Sequence, residues 1–356
     1  MPEEPQPLTI VSNRGPASYG RDPNTGERTL NRGGGGLVTA LSGLAAHRKT
    51  LWIASAMSSE DVAVAKEADG PTAIEVDGVS YDVLMVASDP AAYERFYNTI
   101  ANPIIWFIQH YLWDLSNAPD IRRDEIEAWE HGYKVVNDDI ARAVIDSIED
   151  QENPLVMFHD YHLYTCPATV REARPDAFLH HFVHIPWTQP DSWRILPARW
   201  REEIYRGLLA NEIIGFHLEA YCRNFLHCCQ ELLGLEVDHE RRSVTNEGHE
   251  TWVRAYPLSI DSKRLHRAAA SQAVAEYESE VLRRRRDHLI IRVDRADLSK
   301  NVLRGFTAFD TFLEQHPEFR EKVTFIAHLQ PSRQDVPEYA EYLERIEALV
   351  AVVNHR

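Results

Sequence analysis

Short runs of apolar, β-branched residues alternate along this chain with amphipathic stretches of helical period, and that alternation restricts the fold more than any other feature. Strands of this composition are buried on both faces and need helices above and below them, the arrangement of a doubly wound parallel sheet. The expected order is strand 8–11, a helix opening at Gly36, strands 50–54 and 81–86, a long helical region 122–148 and strand 154–158. Helix 165–173, strand 178–185, helices across 191–210, strand 212–216 and helix 218–233 follow. Segments 242–245 and 251–254, joined across Asn246-Glu247-Gly248, read as an antiparallel hairpin.

After Asp261 the pattern restarts, with a charged helix to about Arg286, strand 288–293, a helix from Lys300, strand 323–328 and a final helix from Val336. Glu280 and Arg284 stand four apart, so the run 283–286 reads as a solvated, paired helix face rather than an anion site. Two strands are too few to cover their own faces. The expected organisation is an N-terminal Rossmann-like domain over 1–258 and the first part of a second over 259–356.

The run Asn31-Arg32-Gly33-Gly34-Gly35-Gly36-Leu37 opens into an apolar-periodic helix, which would leave backbone N–H groups beside a positive helix end, a place to hold phosphate. Upstream, strand 8–11 stops at Ser12-Asn13-Arg14-Gly15-Pro16, and the loop between is long. No Gly-x-Gly-x-x-Gly sits in a tight strand-to-helix turn, so this is not the dinucleotide fingerprint.

The formal net charge of −17 leaves no broad basic field, which argues against nucleic acid or an anionic membrane as a partner. An anionic ligand must then be held by a few placed arginines and lysines. The four cysteines, Cys166, Cys222, Cys228 and Cys229, have no paired metal spacing and read as buried thiols. His159-Asp160-Tyr161-His162 is the best local candidate for a metal, but no His-Glu-x-x-His occurs, and neither metal nor cofactor is expected. The acidic, proline-rich start is the opposite of a signal peptide and no apolar run reaches membrane-spanning length, so a cytoplasmic protein is expected.

Ligands of open α/β sheets bind beyond the carboxyl ends of the strands. Those positions hold Asn13-Arg14, His159-Asp160-Tyr161-His162, His184-Ile185-Pro186-Trp187, Gly215-Phe216-His217, Asp294 to Lys300 and Gln330 to Asp335. Each has a structural explanation on its own: Asp160 as a helix cap, His184 as a core histidine before a proline turn, Arg333 as a loop charge. Polar and cationic groups nevertheless recur at six strand ends. Arg295 and Lys300 lie five apart on either side of a helix start, where a diphosphate could take charge from both side chains and from backbone N–H groups.

Val11-Ser12-Asn13-Arg14, Gly35-Gly36-Leu37, Tyr97-Asn98 with Trp106, His159-Asp160-Tyr161-His162-Leu163, Phe182-Val183-His184-Ile185-Pro186, Gly215-Phe216, Val293-Asp294-Arg295-x-Asp297-x-Ser299-Lys300 and Pro331-Ser332-Arg333-x-Asp335-Val336 occur in an order that resembles trehalose-6-phosphate synthases. The resemblance runs from about residue 8 to the last residue. It implies a retaining glycosyltransferase of the GT-B fold, an α/β class with two Rossmann-like domains facing across a cleft, the second incomplete here. The implied reaction moves glucose from a nucleoside-diphosphate glucose, UDP- or GDP-glucose, to C1 of glucose 6-phosphate, with no cofactor; a homo-oligomer is compatible with it. Position by position, the family places the acceptor phosphate with Arg14, Tyr97, Trp106 and Arg333, the acceptor hydroxyls with Asp160 and the donor glucose with His184. Gly35 and Gly36 would approach the donor phosphate through their backbone, and Arg295 and Lys300 would neutralise the leaving diphosphate. The residues implied to act in catalysis are Asp160, His184, Arg295 and Lys300.

Two departures from the family stand out. Ser299-Lys300-Asn301 replaces the usual Ser-Lys-Gly, and the sequence ends at Arg356, before the family's acidic segment and the carboxylate that holds the donor ribose. The competing expectations are a relative that uses another acceptor, such as glycerol 3-phosphate or a pseudo-sugar, and a non-catalytic sugar-phosphate binder.

Overall fold

The computed structural model describes every residue except 1–5, 34–35, 39–40, 42–47, 69, 77, 115–119, 334–335 and 356. The chain divides into two compact units, Met1–Ser259 and Ile260–Arg356.

The first unit holds β1 (Leu8–Ser12), β2 (Ala17–Arg21), β3 (Arg28–Arg32), β4 (Thr50–Ser55), β5 (Thr72–Val76), β6 (Val79–Val86), β7 (Leu155–His159), β8 (Phe178–Phe182), β9 (Ile213–Phe216), β10 (Glu236–Asp238), β11 (Ser243–Asn246) and β12 (His249–Ala255). Ten of these strands form one sheet in the order β10-β11-β12-β9-β8-β7-β1-β4-β6-β5. From β12 to β6 every pairing is parallel, and β10, β11 and β5 add antiparallel edges. All five residues of β1 are buried, as a central strand covered on both faces requires. The strand order reverses between β1 and β7, because the chain runs outward through β4 and β6 before returning to β7 on the other side of β1. The loops after β1 and β7 therefore diverge and open a crevice at the carboxyl edge.

Three features of this unit depart from the expected pattern. Residues 17–32, read as loop, form the hairpin β2–β3. Its turn carries an Asp22 side chain that accepts the amides of Asn24 and Thr25, with Gly26 at φ 72°. Asp61 anchors the hairpin: it completes a capping box with Ser58 at the start of helix Ser59–Glu67 and accepts the Tyr19 amide at 2.6 Å. Strand β5 went unread, being a short sheet edge.

The third departure lies in the helices. Pro90–Glu94 passes into a π-helical segment Arg95–Ile105 and then into Trp106–Gln109; likewise Arg123–Ala128 passes through a π turn, Trp129–Tyr133, into Lys134–Ser147. The two π segments pack where Gly132 faces Arg95 and Phe96, and a Cβ at Gly132 would lie 2.6 Å from the Arg95 Cβ. The expected hairpin of β11 and β12 is present, with Glu247 and Gly248 at φ 49° and 84°.

The second unit has β13 (His288–Ala296) and β14 (Val323–Pro331), paired in parallel, with helix Val302–Gln315 between them and Pro337–His355 after them. Its core is Ala296, Val302, Phe306, Tyr342 and Ile346. Helix Gln272–Arg284 is exposed, and Arg284 pairs with Glu280 at 2.9 Å as expected. All four cysteines are buried, three of them on helix Glu219–Leu233 beside Phe225 and Leu226. No described helix is long and apolar enough to cross a membrane.

Candidate active site

In the first unit the candidate residues gather at the crevice between β1 and β7. The loop after β1 is set by local bonds: the Trp52 indole donates to the Ser12 hydroxyl, which in turn donates to the Arg14 carbonyl. The Tyr93 hydroxyl donates to Asn13 Oδ1 at 3.2 Å. Arg14, exposed, then donates to the Tyr97 hydroxyl at 2.9 Å. The Tyr97 ring stacks between Tyr93 and His162, with centroids 5.9 and 6.0 Å away and planes 8° and 11° apart.

Tyr97 and Trp106 are nine residues apart, which in an α-helix of about 3.6 residues per turn would put them on opposite sides. Hydrogen bonds running i→i+5 widen the turn, so that nine residues approach two turns. Both rings consequently reach the same pair of neighbours: Tyr97 meets His162, and Trp106 lies 5.5 Å from Tyr161. Asn102, fully buried between them, accepts from the Tyr161 hydroxyl and donates to the Tyr97 carbonyl.

Asp160 follows β7 at φ 71°, ψ 176°, a region almost confined to glycine, where a side chain costs on the order of 1–3 kcal/mol. Three bonds hold it there. Its amide donates to the Phe182 carbonyl at 2.8 Å, its carbonyl faces His181 Nε2 at 3.0 Å, and its Oδ1 accepts the His184 amide at 3.2 Å. Asp160 thus does not cap the following helix; its carboxylate joins the ends of β7 and β8. Burial pushes His181 and His184 down to about 3 and His180 to about 4, and holds His159 well below the ordinary histidine value, so all four are neutral near pH 7. Gly215 packs so closely that a Cβ would lie 2.7 Å from the Phe182 ring, which brings His217 to 5.5 Å from the His184 ring.

The glycine run contributes differently from the expectation. Gly35 lies outside the described residues, and Gly36 is helical and exposed, with open space where a Cβ would stand. Gly33 carries the steric requirement: its amide donates to the Pro16 carbonyl, and a Cβ there would come within 2.5 Å of the Gly15 oxygen.

In the second unit Arg295 and Arg333, from the ends of adjacent parallel strands, share one fully buried carboxylate. Asp297 Oδ2 lies 3.1 Å from Arg295 and 3.7 Å from Arg333, and Arg295 also donates to the Ser332 hydroxyl. Lys300, exposed, follows three residues after Asp297, in a chain whose overall charge is strongly negative. Asn301, in place of the glycine that the resemblance leads to expect, sits in the left-handed region at φ 54°, ψ 42°. Asparagine is the side chain that best tolerates that conformation, so the replacement preserves the turn. One expectation is corrected: the first amides of helix Val302–Gln315 are not bare, because Val302 and Leu303 both donate to the Tyr342 hydroxyl, at 2.7 and 3.4 Å. An anion here would be held mainly by side chains.

Residues outside the expected set also shape the site. Asn13, Tyr93, Asn102, His159, His181, Asp297 and Tyr342 hold the candidate side chains in place. Only the strand-end positions of Asn13, His159 and Asp297 marked them in the sequence.

A family model described as Glycosyltransferase family 20 matches residues 6–356. A validamine 7-phosphate valienyltransferase of Streptomyces hygroscopicus subsp. jinggangensis is 32% identical over 351 residues, covering 98% of this chain and 69% of that protein. An alpha,alpha-trehalose-phosphate synthase [UDP-forming] of Schizosaccharomyces pombe is 32% identical over 354 residues, covering 98% of this chain and 65% of that one. Among solved structures, the alpha,alpha-trehalose-phosphate synthase (UDP-forming) of Burkholderia xenovorans in complex with glucose-6-phosphate superposes with a TM-score of 0.76 at 23% identity, covering 98% of this chain and 71% of that one. The α/β architecture is that of the GT-B class.

Proposed function

The chain belongs to glycosyltransferase family 20, and from that premise we propose that it transfers glucose, with retention, from a nucleoside-diphosphate glucose to glucose 6-phosphate, giving α,α-trehalose 6-phosphate. The observation that carries this reading is the cluster at the β1/β7 crevice, where Arg14, Tyr97, Trp106 and Asp160 offer a cation, a phenol, an apolar wall and a carboxylate suited to a phosphorylated hexose. Two of the relatives above are named as UDP-forming synthases, which favours UDP-glucose as donor over GDP-glucose.

In this reading Met1–Ser259 binds the acceptor and Ile260–Arg356 begins the nucleotide-sugar domain. Arg14 takes the acceptor phosphate with Tyr97 and Trp106, Asp160 accepts from acceptor hydroxyls, and His184 contacts the donor glucose. Gly36 approaches the donor phosphate through its backbone. Attack comes from the face the diphosphate leaves, through an oxocarbenium-like state, so the main demand is stabilising charge on the departing diphosphate. Arg295 and Lys300 meet that demand. The same reading assigns the chain to the cytoplasm, supported by four cysteines that are all free and buried, as a reducing compartment keeps them.

A second reading is transfer to or from a pseudo-sugar, favoured by the valienyltransferase at the same 32% identity. The protein mixed with UDP-, GDP- or ADP-glucose and glucose 6-phosphate, with products resolved by mass, separates the two. Trehalose 6-phosphate formation supports the first reading, and its absence with every donor overturns it.

A further inference from the structure

His159 ends β7 with 1% of its surface exposed, and its Nδ1 lies 3.0 Å from Nε2 of His184, which follows the neighbouring strand β8. One of these nitrogens carries a proton and the other accepts it. The other ring nitrogen of His159, Nε2, is buried without a hydrogen-bond partner. A neutral imidazole has a single N–H. Placed on Nε2 of His159, that N–H would be a buried orphan donor; placed on Nδ1, it makes the bond to His184 and leaves only an under-used acceptor, the cheaper arrangement. Burial keeps both rings neutral, His184 down to about 3, so neither ring holds a second proton near pH 7.

We propose that His159 is a positioning residue that donates from Nδ1 to His184 Nε2 and so locks His184 in the Nδ1–H tautomer, making the group His184 presents to the transferred sugar a hydrogen-bond donor. The ring of His184 is held for this task on several sides. Its amide is bound to Asp160 Oδ1, and the rings of Phe182 and His217 lie 4.6 and 5.5 Å from its own. His184 is only half-buried whereas His159 is sealed, so Nδ1 of His184 is the ring nitrogen of the pair left for a ligand. A sugar hydroxyl or ring oxygen accepts from it; a bare acceptor nitrogen would instead require the sugar to donate.

The inference rests on the reading of His184 as a contact of the donor sugar, but its first test does not. Long-range ¹H–¹⁵N spectra of the histidine-labelled full chain at pH 7, with the His184 signals identified by their loss in His184→Asn, are expected to show Nδ1 protonated and Nε2 bare. Protonation at His184 Nε2 overturns the proposal. The second test uses two substitutions, since Asn places an amide N–H donor where Nδ1 stands and Leu places none. His159→Leu is expected to mix the His184 tautomers and lower kcat for transfer about tenfold with the acceptor KM unchanged, the scale of one buried hydrogen bond, and His159→Asn is expected to restore both. Equal losses in the two variants overturn the proposal. A chain that forms no trehalose 6-phosphate, yet shows His184 as the Nδ1–H tautomer, removes the functional reading and leaves the lock by His159 standing.

Discussion

Arg14 donates to the hydroxyl of Tyr97 at 2.9 Å across 83 residues of sequence, tying the loop after β1 to the π-helical segment Arg95–Ile105. The phenol is itself clamped between Tyr93 and His162, so the guanidinium is held by a support that cannot turn away. A cation pre-positioned in this way loses little side-chain entropy when it meets an anion.

Arg14→Ala is therefore expected to lower kcat/KM for glucose 6-phosphate about 10- to 100-fold, since charged hydrogen bonds contribute roughly 1.5–3 kcal/mol. Use of free glucose should change little. Tyr97→Phe, which removes only the partner hydroxyl, should cost no more than about tenfold. Steady-state kinetics with both acceptors check this, and equal losses for the two acceptors would assign Arg14 to folding instead.

Lys300 is exposed at the end of the short turn Leu298–Lys300, beside the Arg295–Asp297 pair. Interactions that strengthen in the transition state lower kcat when removed. Lys300→Ala should cut kcat by about two to three orders of magnitude while shifting stability by no more than about 0.5 kcal/mol. A normally folded variant with unchanged kcat would refute the role.

Asn301 occupies the left-handed region. Asn301→Gly should leave the unfolding free energy measured in urea within about 0.5 kcal/mol of the parent, whereas Asn301→Val should destabilise by about 1–2 kcal/mol because a β-branched side chain is strained there. Equal midpoints for the two variants would show that the turn has another conformation in solution.

Acid should destabilise the first unit through its neutral histidines. His180, His181 and His184 titrate at about 4, 3 and 3 in the fold, against about 6.5 when unfolded. The unfolded chain binds more protons, so their contribution is complete above pH 6.5 and is lost as pH falls towards 3–4. Each contributes about 1.4 kcal/mol per pH unit in that window. Denaturant midpoints from pH 7 to 4.5 should fall steeply, and His181→Asn should flatten the slope by one proton. A midpoint independent of pH would contradict the burial of these rings.

Much of the fold was legible because its signals are local. The apolar run Leu8-Thr9-Ile10-Val11 reads as a buried strand, and Asn246-Glu247-Gly248 announces its hairpin. Strand-end loops then pointed to Arg14, Asp160, His184, Arg295 and Arg333 without any knowledge of which strands were neighbours. The π segments were not legible: Arg95–Ile105 lay outside every expected element and carries Pro103 inside it, and its close contact with Trp129–Tyr133 at Gly132 joins residues far apart in sequence. The β2–β3 hairpin was missed because Ala17-Ser18-Tyr19-Gly20-Arg21 has little strand character, and its anchor, Asp61, lies 42 residues from Tyr19.

By itself the sequence determined the strand-and-helix alternation, the acidic surface and the placing of cations and carboxylates at strand ends, since periodicity and charge are properties of neighbouring residues. Only the tertiary structure decided that β1 and β7 adjoin where the strand order reverses, that Asp160 is held at φ 71° by bonds from β8 and the residues after it, and that Arg295 and Arg333 share Asp297. Each of these depends on groups that are distant along the chain and become close only once the sheet pairs. Register, strain and shared ion pairs are then set by packing, which no local pattern encodes.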